Sequence, residues 1–269
     1  MSLSDSNAPS AASPDLPNRA VEVWNATGTG AVLVLCEHAS NHIPARYEGL
    51  GLSEEDRSSH AAWDPGALAV AKGLSAALDA PLVASCVSRL VYDCNRPPEA
   101  ASAMPEKSEL IEVPGNVALT DAQRAERVDT VYQPFITAVD QMIDRRKAEG
   151  LQTALITIHS FTPVYYGTPR AVEIGILHDS DTRLADAMLA QASALPQRQV
   201  DRNEPYGPED GVTHSLQIHG LENGLPNVML EVRNDLLRTP QQETQMADEL
   251  LALLRPALAA LKAEGGTSA

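Results

Sequence analysis

Cysteine is scarce in this sequence: Cys36, Cys86 and Cys94 are the three among 269 residues, an odd number with no CxxC spacing. That excludes a disulfide framework and a cysteine zinc site, and it fits a reducing cytoplasm. Basic residues are few as well. Lys and Arg total 20 against 36 Asp and Glu, a formal charge of -16, so nucleic acid and anionic membrane are disfavoured and a small molecule is the expected partner. An anionic substrate would need a few locally placed arginines to overcome that field. No apolar run approaches the roughly 18 residues of a membrane span, and the N-terminus has no basic segment leading into an apolar one. A soluble, cytoplasmic protein is expected.

Several catalytic signatures are missing too. There is no GxSxG nucleophile elbow and no GxxxxGK[ST] phosphate loop. The "GTGA" of Gly28 to Ala31 precedes a strand instead of linking strand to helix, so it is no dinucleotide fingerprint. Cys36 lies beside Glu37 and His38 but within an apolar run, which suits a buried structural thiol better than a nucleophile.

What is present can fill a sizeable core, because 43% of the residues are hydrophobic. With no repeat and no long linker, the expected organisation is a single domain over 23–263, between a Ser/Ala/Pro-rich flexible leader (1–22) and a short tail (264–269). Apolar runs rich in Val, Ile and Leu, at 31–36, 80–86, 153–158, 171–177 and 227–232, read as strands buried on both faces. Between them lie helical patterns. One opens with Asp64 and Pro65 as cap and first-turn residues, one with Thr120 and Gln123 as a capping box and Pro134 as a kink, and one with Thr239 and Gln242. This alternation predicts an open α/β sheet with helices on both faces and a site at the carboxyl ends of its strands.

Polar residues do follow several of the apolar runs. "CEHASN" carries Glu37, His38 and Asn41; "TIHSF" carries His159; "LEVRND" carries Glu231 and Arg233; and "SRLVYDCNRP" carries Arg89, Asp93, Asn95 and Arg96. Imidazole with carboxylate is a zinc ligand set, and His38 and His159 are its best candidates. The third ligand stays open at this point: Glu37 and Asn41 are near in sequence, while spacing alone makes Asp64 a helix cap. Glu231 suits a general base beside a metal, or else a surface partner for Arg233. Arg89 and Arg96 suit oxyanion stabilisation and carboxylate binding, or else surface ion pairs.

The ordered motifs "EHASN", "HAAWDPGA", "SRLVYDCNRP", "TIHSF", "PYGPEDGVTHSLQIHG" and "GLPNVMLEVRND" resemble the N-formylglutamate amidohydrolase family over roughly residues 30 to 255. That family is in turn similar to the zinc metallocarboxypeptidases. The resemblance implies a three-layer α/β/α domain around a mixed, mostly parallel sheet, of the phosphorylase/hydrolase-like kind. It implies zinc, or another divalent metal, on His38, Asp64 and His159, with Glu37 the alternative carboxylate because Asn41 stands where carboxypeptidases have a glutamate ligand. It further implies Glu231 as base, Arg89 for the oxyanion, and Asn95, Arg96, Tyr206, His214 and Arg233 around the substrate. The implied reaction is hydrolysis of a small anionic N-acyl amino acid, N-formyl-L-glutamate being the named candidate.

Overall fold

A computed structural model of the protein describes residues 19–265. Of the expected leader, residues 1–18 lie outside the described residues, whereas Val21 and Glu22 already belong to the first strand. In chain order the strands are β1 (Val21–Trp24), β2 (Val32–Cys36), β3 (Leu82–Ser85), β4 (Lys107–Ser108), β5 (Ile111–Glu112), β6 (Ala154–Phe161), β7 (Val164–Tyr165), β8 (Thr168–Pro169), β9 (Ile174–Leu177), β10 (Val200–Arg202) and β11 (Asn227–Arg233). The α-helices are α1 (Glu54–Ser58), α2 (Ala67–Ala77), α3 (Asp121–Arg127), α4 (Gln133–Ala148), α5 (Arg183–Leu189) and α6 (Pro240–Gly265). None of these helices is long and apolar enough to cross a membrane.

Seven strands form one sheet in the order β1-β3-β2-β6-β11-β9-β10. The pairs β3–β2, β2–β6, β6–β11 and β9–β10 are parallel, and only β1–β3 and β11–β9 are antiparallel. The fold is therefore α/β with a mixed, mostly parallel sheet. Pairs β4–β5 and β7–β8 make two small separate ribbons.

The period-two side-chain rule explains why every central strand reads as a continuous apolar run. Val32, Val34 and Cys36 of β2, Ile156 and Ile158 of β6 and Leu230 of β11 pack with α2, α5 and α6 on one face. Leu33, Leu35, Leu155 and Met229 point the other way, onto Phe135, Val139 and Ile143 of α4 and onto Val91 and Tyr92. Both faces are covered, and three layers result.

The expected Thr120–Gln123 capping box starts α3. Pro134 stands where the helical run divides: a π-turn at Val128–Tyr132 separates α3 from α4 and leaves the proline, which has no N–H to donate, in the first turn of α4. Two buried arginines tie loops to this framework. Arg146 donates to the carbonyls of Gly28, Gly30 and Gln152, and a Cβ on either of those glycines would run into the carbonyls of Leu78 and Asp79. "GTGA" is thus a close backbone crossing. Arg127 donates to Gly115, Val91 and Asn116, fixing the long segment that crosses the carboxyl edge of the sheet.

Candidate active site

Strand β2 ends at Cys36, and the turn after it is latched to the start of α2: the Asp64 N–H donates to the His38 carbonyl at 2.9 Å. The segment after β3 is latched to the same place, since the Ala62 carbonyl accepts from the Ser88 hydroxyl at 2.8 Å and from the Arg89 N–H at 3.2 Å. His159 belongs to β6 itself and stands in register beside Glu231 of β11. By strand alternation both side chains face the α4 side, under the "SRLVYDCNRP" segment. Five parts of the chain therefore meet at one strand edge.

Their side chains converge on a single point. His38 Nδ1 and His159 Nδ1 lie 3.2 and 2.9 Å from Asp64 Oδ2 and 3.1 Å from one another. The far nitrogens are turned to other carboxylates: His38 Nε2 is 2.7 Å from Asp93 Oδ1, and His159 Nε2 is 3.3 Å from Glu37 Oε2. Burial pushes the Asp93 and Glu37 carboxyls up, but His38 and Arg89 in the first case, and His159 in the second, hold both below the ordinary range. With an ion at the point of convergence, each imidazole would turn a lone pair at Nδ1 toward it and an N–H at Nε2 toward the carboxylate behind.

That arrangement would leave three acceptors facing each other. Separations near 3 Å are those of ligand atoms that each sit roughly 2 Å from a shared ion. Glu37, Asp64, Asp93 and Glu231 are each 5% exposed or less, and Arg89 is the guanidinium bridging Asp64 Oδ1 at 3.3 Å and Asp93 Oδ2 at 2.9 Å. So much buried negative charge calls for a further cation. The same field acts on a proton: burial draws the His159 basicity down, yet Glu37 and Asp64 raise it well above that of free imidazole. His38, Asp64 and His159 can hold a metal ion, with Asp93 and Glu37 orienting the two imidazoles behind them.

Asp64 is not the cap of α2. Its carbonyl accepts from Ala67, but Gly66, in the left-handed conformation at φ 82°, is the residue before the helix, and the Asp64 carboxylate turns back to the histidines and to the Ser160 N–H at 3.2 Å. Glu37 sits at the far side of His159, away from the point of convergence. Glu231 is no surface partner of Arg233. It is buried, its Oε2 has no hydrogen-bond partner among the described residues, and burial pushes its carboxyl up to about 7 against the opposing pull of His159, His38 and Arg89. Cys36 is fully buried, and burial beside Glu37 raises its thiol well above the usual range; it is structural.

Three of the expected substrate contacts have side chains with partners inside the protein. The Asn95 amide is committed to the backbone, donating to the Val212 carbonyl at 2.6 Å and accepting from Ser215 N–H at 2.9 Å, so it joins two loops. His214 Nε2 is held by the Tyr132 hydroxyl at 2.8 Å, in a stack within the core. Arg233 is tied to Asp235 at 2.8 Å and to the Arg170 and Ala171 carbonyls. Among the described residues the Arg96 guanidinium has no carboxylate partner and donates to the Asn95 carbonyl. Tyr206 stays beside the site, its hydroxyl raised to about 12 by burial and by the Glu231 charge.

The roles of Asp93 and Glu37 are the ones sequence reasoning missed. The signal was available: two metal-facing imidazoles need two outer acceptors, and these are the carboxylates left over in the same motifs.

Among solved structures the chain is similar to a gene product of Agrobacterium tumefaciens, with 55% identity and a TM-score of 0.89 over 91% of this chain and 96% of that one. At 18% identity it shares the fold of the N-formylglutamate amidohydrolase of Ralstonia eutropha, with a TM-score of 0.62 over 91% and 99% of the two chains. No curated protein matches it. The sequence model of one family, N-formylglutamate amidohydrolase, matches residues 30–238 and so spans every residue from His38 to Glu231: the chain belongs to the N-formylglutamate amidohydrolase family.

Proposed function

We propose that the protein is a zinc-dependent amidohydrolase that cleaves N-formyl-L-glutamate to formate and L-glutamate. The observation that carries this reading is the meeting of His38 Nδ1, His159 Nδ1 and Asp64 Oδ2 beside the unpartnered Glu231. His38, Asp64 and His159 would hold zinc, a tetrahedral ion suited to two nitrogens and one carboxylate oxygen. When bound, zinc supplies Lewis acidity toward the acyl oxygen and toward water.

The chain's own residues supply the proton transfers and the charge. Glu231, buried and with Oε2 free, accepts the proton of the attacking water and delivers it to the leaving nitrogen. A carboxyl brought by burial to about 7 is matched to both halves of that task. Arg89 has two donors on Asp64 and Asp93 and the rest of its five N–H groups available, so its charge is held where the oxyanion develops. Asn95 positions the 212–215 loop, and Arg96 binds a substrate carboxylate.

The test is release of the free amino group by the zinc-loaded protein across N-formyl-L-glutamate, N-formyl-L-alanine, N-acetyl-L-glutamate and a small peptide, with formate measured for the two formyl compounds. Fastest turnover of N-formyl-L-glutamate is expected; a folded, zinc-loaded protein that releases no formate contradicts the assignment.

A further inference from the structure

Two of the arginines at the carboxyl edge of the sheet are charge-paired: Arg89 with Asp64 and Asp93, and Arg233 with Asp235 and Glu173. Arg170, at the end of the β7–β8 ribbon, has no carboxylate partner among the described residues; its Nη1 reaches the Thr162 carbonyl at 3.4 Å. Aromatic faces surround it instead, with its guanidinium carbon 4.4 Å from the Tyr165 ring centre, 4.8 Å from Tyr206 and 5.5 Å from Phe161. Rings hold a guanidinium in place by their faces, and beyond the Thr162 carbonyl and the Tyr206 hydroxyl the remaining N–H donors of its fork are left for a ligand.

The backbone of Arg170 is fixed at both ends. Its N–H donates to the Pro163 carbonyl at 2.9 Å, and its own carbonyl accepts from Arg233 Nη1 at 3.1 Å. Its depth follows from the strand it covers. Phe161 is two residues beyond His159 on β6, on the same face, and pairs with Arg233 as His159 pairs with Glu231. At roughly 3.3 Å per residue, Phe161 stands about 6–7 Å outward of the His159–Glu231 row. Tyr206 spans the gap, its hydroxyl lying in the fields of both Glu231 and Arg170. An unpaired, preorganised cation thus stands one side-chain row above the reacting groups, in a protein whose net charge is -16.

We infer that Arg170 is a specificity-determining residue, its guanidinium gripping the side-chain carboxylate of the substrate. This rests on the N-acyl amino acid reading above. With Arg96 available to the other carboxylate, the site is built for a dicarboxylate, and the glutamine analogue, equal in shape but neutral, is selected against.

The experiment compares zinc-loaded wild type, R170M and R170K with N-formyl-L-glutamate and N-formyl-L-glutamine, by calorimetric binding and by formate release. Wild type is expected to prefer the glutamate compound in both. R170M should lower its affinity and kcat/KM by about a hundredfold while leaving the glutamine compound within about twofold, and R170K should recover part of the preference. Equal losses for both compounds would reduce Arg170 to a packing element of the aromatic cage and overturn the inference; so would an undiminished glutamate preference in R170M. Should neither compound release formate, the proposed reaction fails, and the binding comparison still decides Arg170: a glutamate preference abolished in R170M supports it, and no preference in wild type overturns it.

Discussion

Asp93 Oδ1 lies 2.7 Å from His38 Nε2, on the side of the ring opposite the nitrogen that meets Asp64 and His159. The carboxylate therefore holds the rotation of that imidazole and, with an ion on the other nitrogen, would hold its N–H at Nε2. Removing its charge while keeping its shape, in D93N, should weaken metal binding by about 10–100-fold. Competition against a chromophoric chelator measures this directly, and unchanged affinity would mean that the histidine is oriented without Asp93.

Glu231 and His159 share a register position, and the histidine turns its Nδ1 to Asp64 and His38. E231Q keeps the volume and removes the proton acceptor. Metal content should stay at the wild-type level while turnover falls by about 10²–10⁴-fold. Metal analysis and formate release on the same sample separate the two roles; retained turnover would exclude Glu231 as the base.

Away from the site, Glu249 of α6 receives the Arg198 Nε at 2.7 Å and the Gln245 amide at 2.9 Å. Burial pushes its carboxyl up, but these donors outweigh burial and hold it below 4.5. A carboxylate with a depressed folded pKa stabilises the fold above its unfolded value, and that contribution is lost as the pH falls through the folded one. E249Q should therefore cost roughly 1 kcal/mol at pH 7, with the deficit shrinking below about pH 4. Urea unfolding of both proteins at pH 7 and pH 3.5 checks it, and a pH-independent deficit would assign the effect to packing.

The sheet was legible wherever burial on both faces wrote an apolar run: β2, β3 and β9 fall within runs read from the sequence, while β6 and β11 begin in such runs and continue past them, β6 through His159 to Phe161 and β11 to Arg233. Strand β1, "VEVW", and β10, "VDR", escaped because they are edge strands with half-exposed side chains, and only pairing with β3 and β9 makes them strands. The same contrast runs through the site. His38, His159 and Glu231 follow or end buried strands, a position visible in one dimension. Asp64 reads locally as a helix cap, and what turns its carboxylate away is a pair of histidines 26 and 95 residues distant. Asn95, His214 and Arg233 are polar residues in the right motifs, but backbone carbonyls, a tyrosine hydroxyl and an aspartate in three-dimensional reach claim their side chains first.

The most direct test of the central claim follows metal content and formate release together as zinc is stripped from the protein and returned. The account predicts about one zinc per chain, loss of N-formyl-L-glutamate hydrolysis in step with its removal, and recovery on reconstitution. Full hydrolysis by protein free of metal, or a folded protein that takes up no zinc, would contradict it.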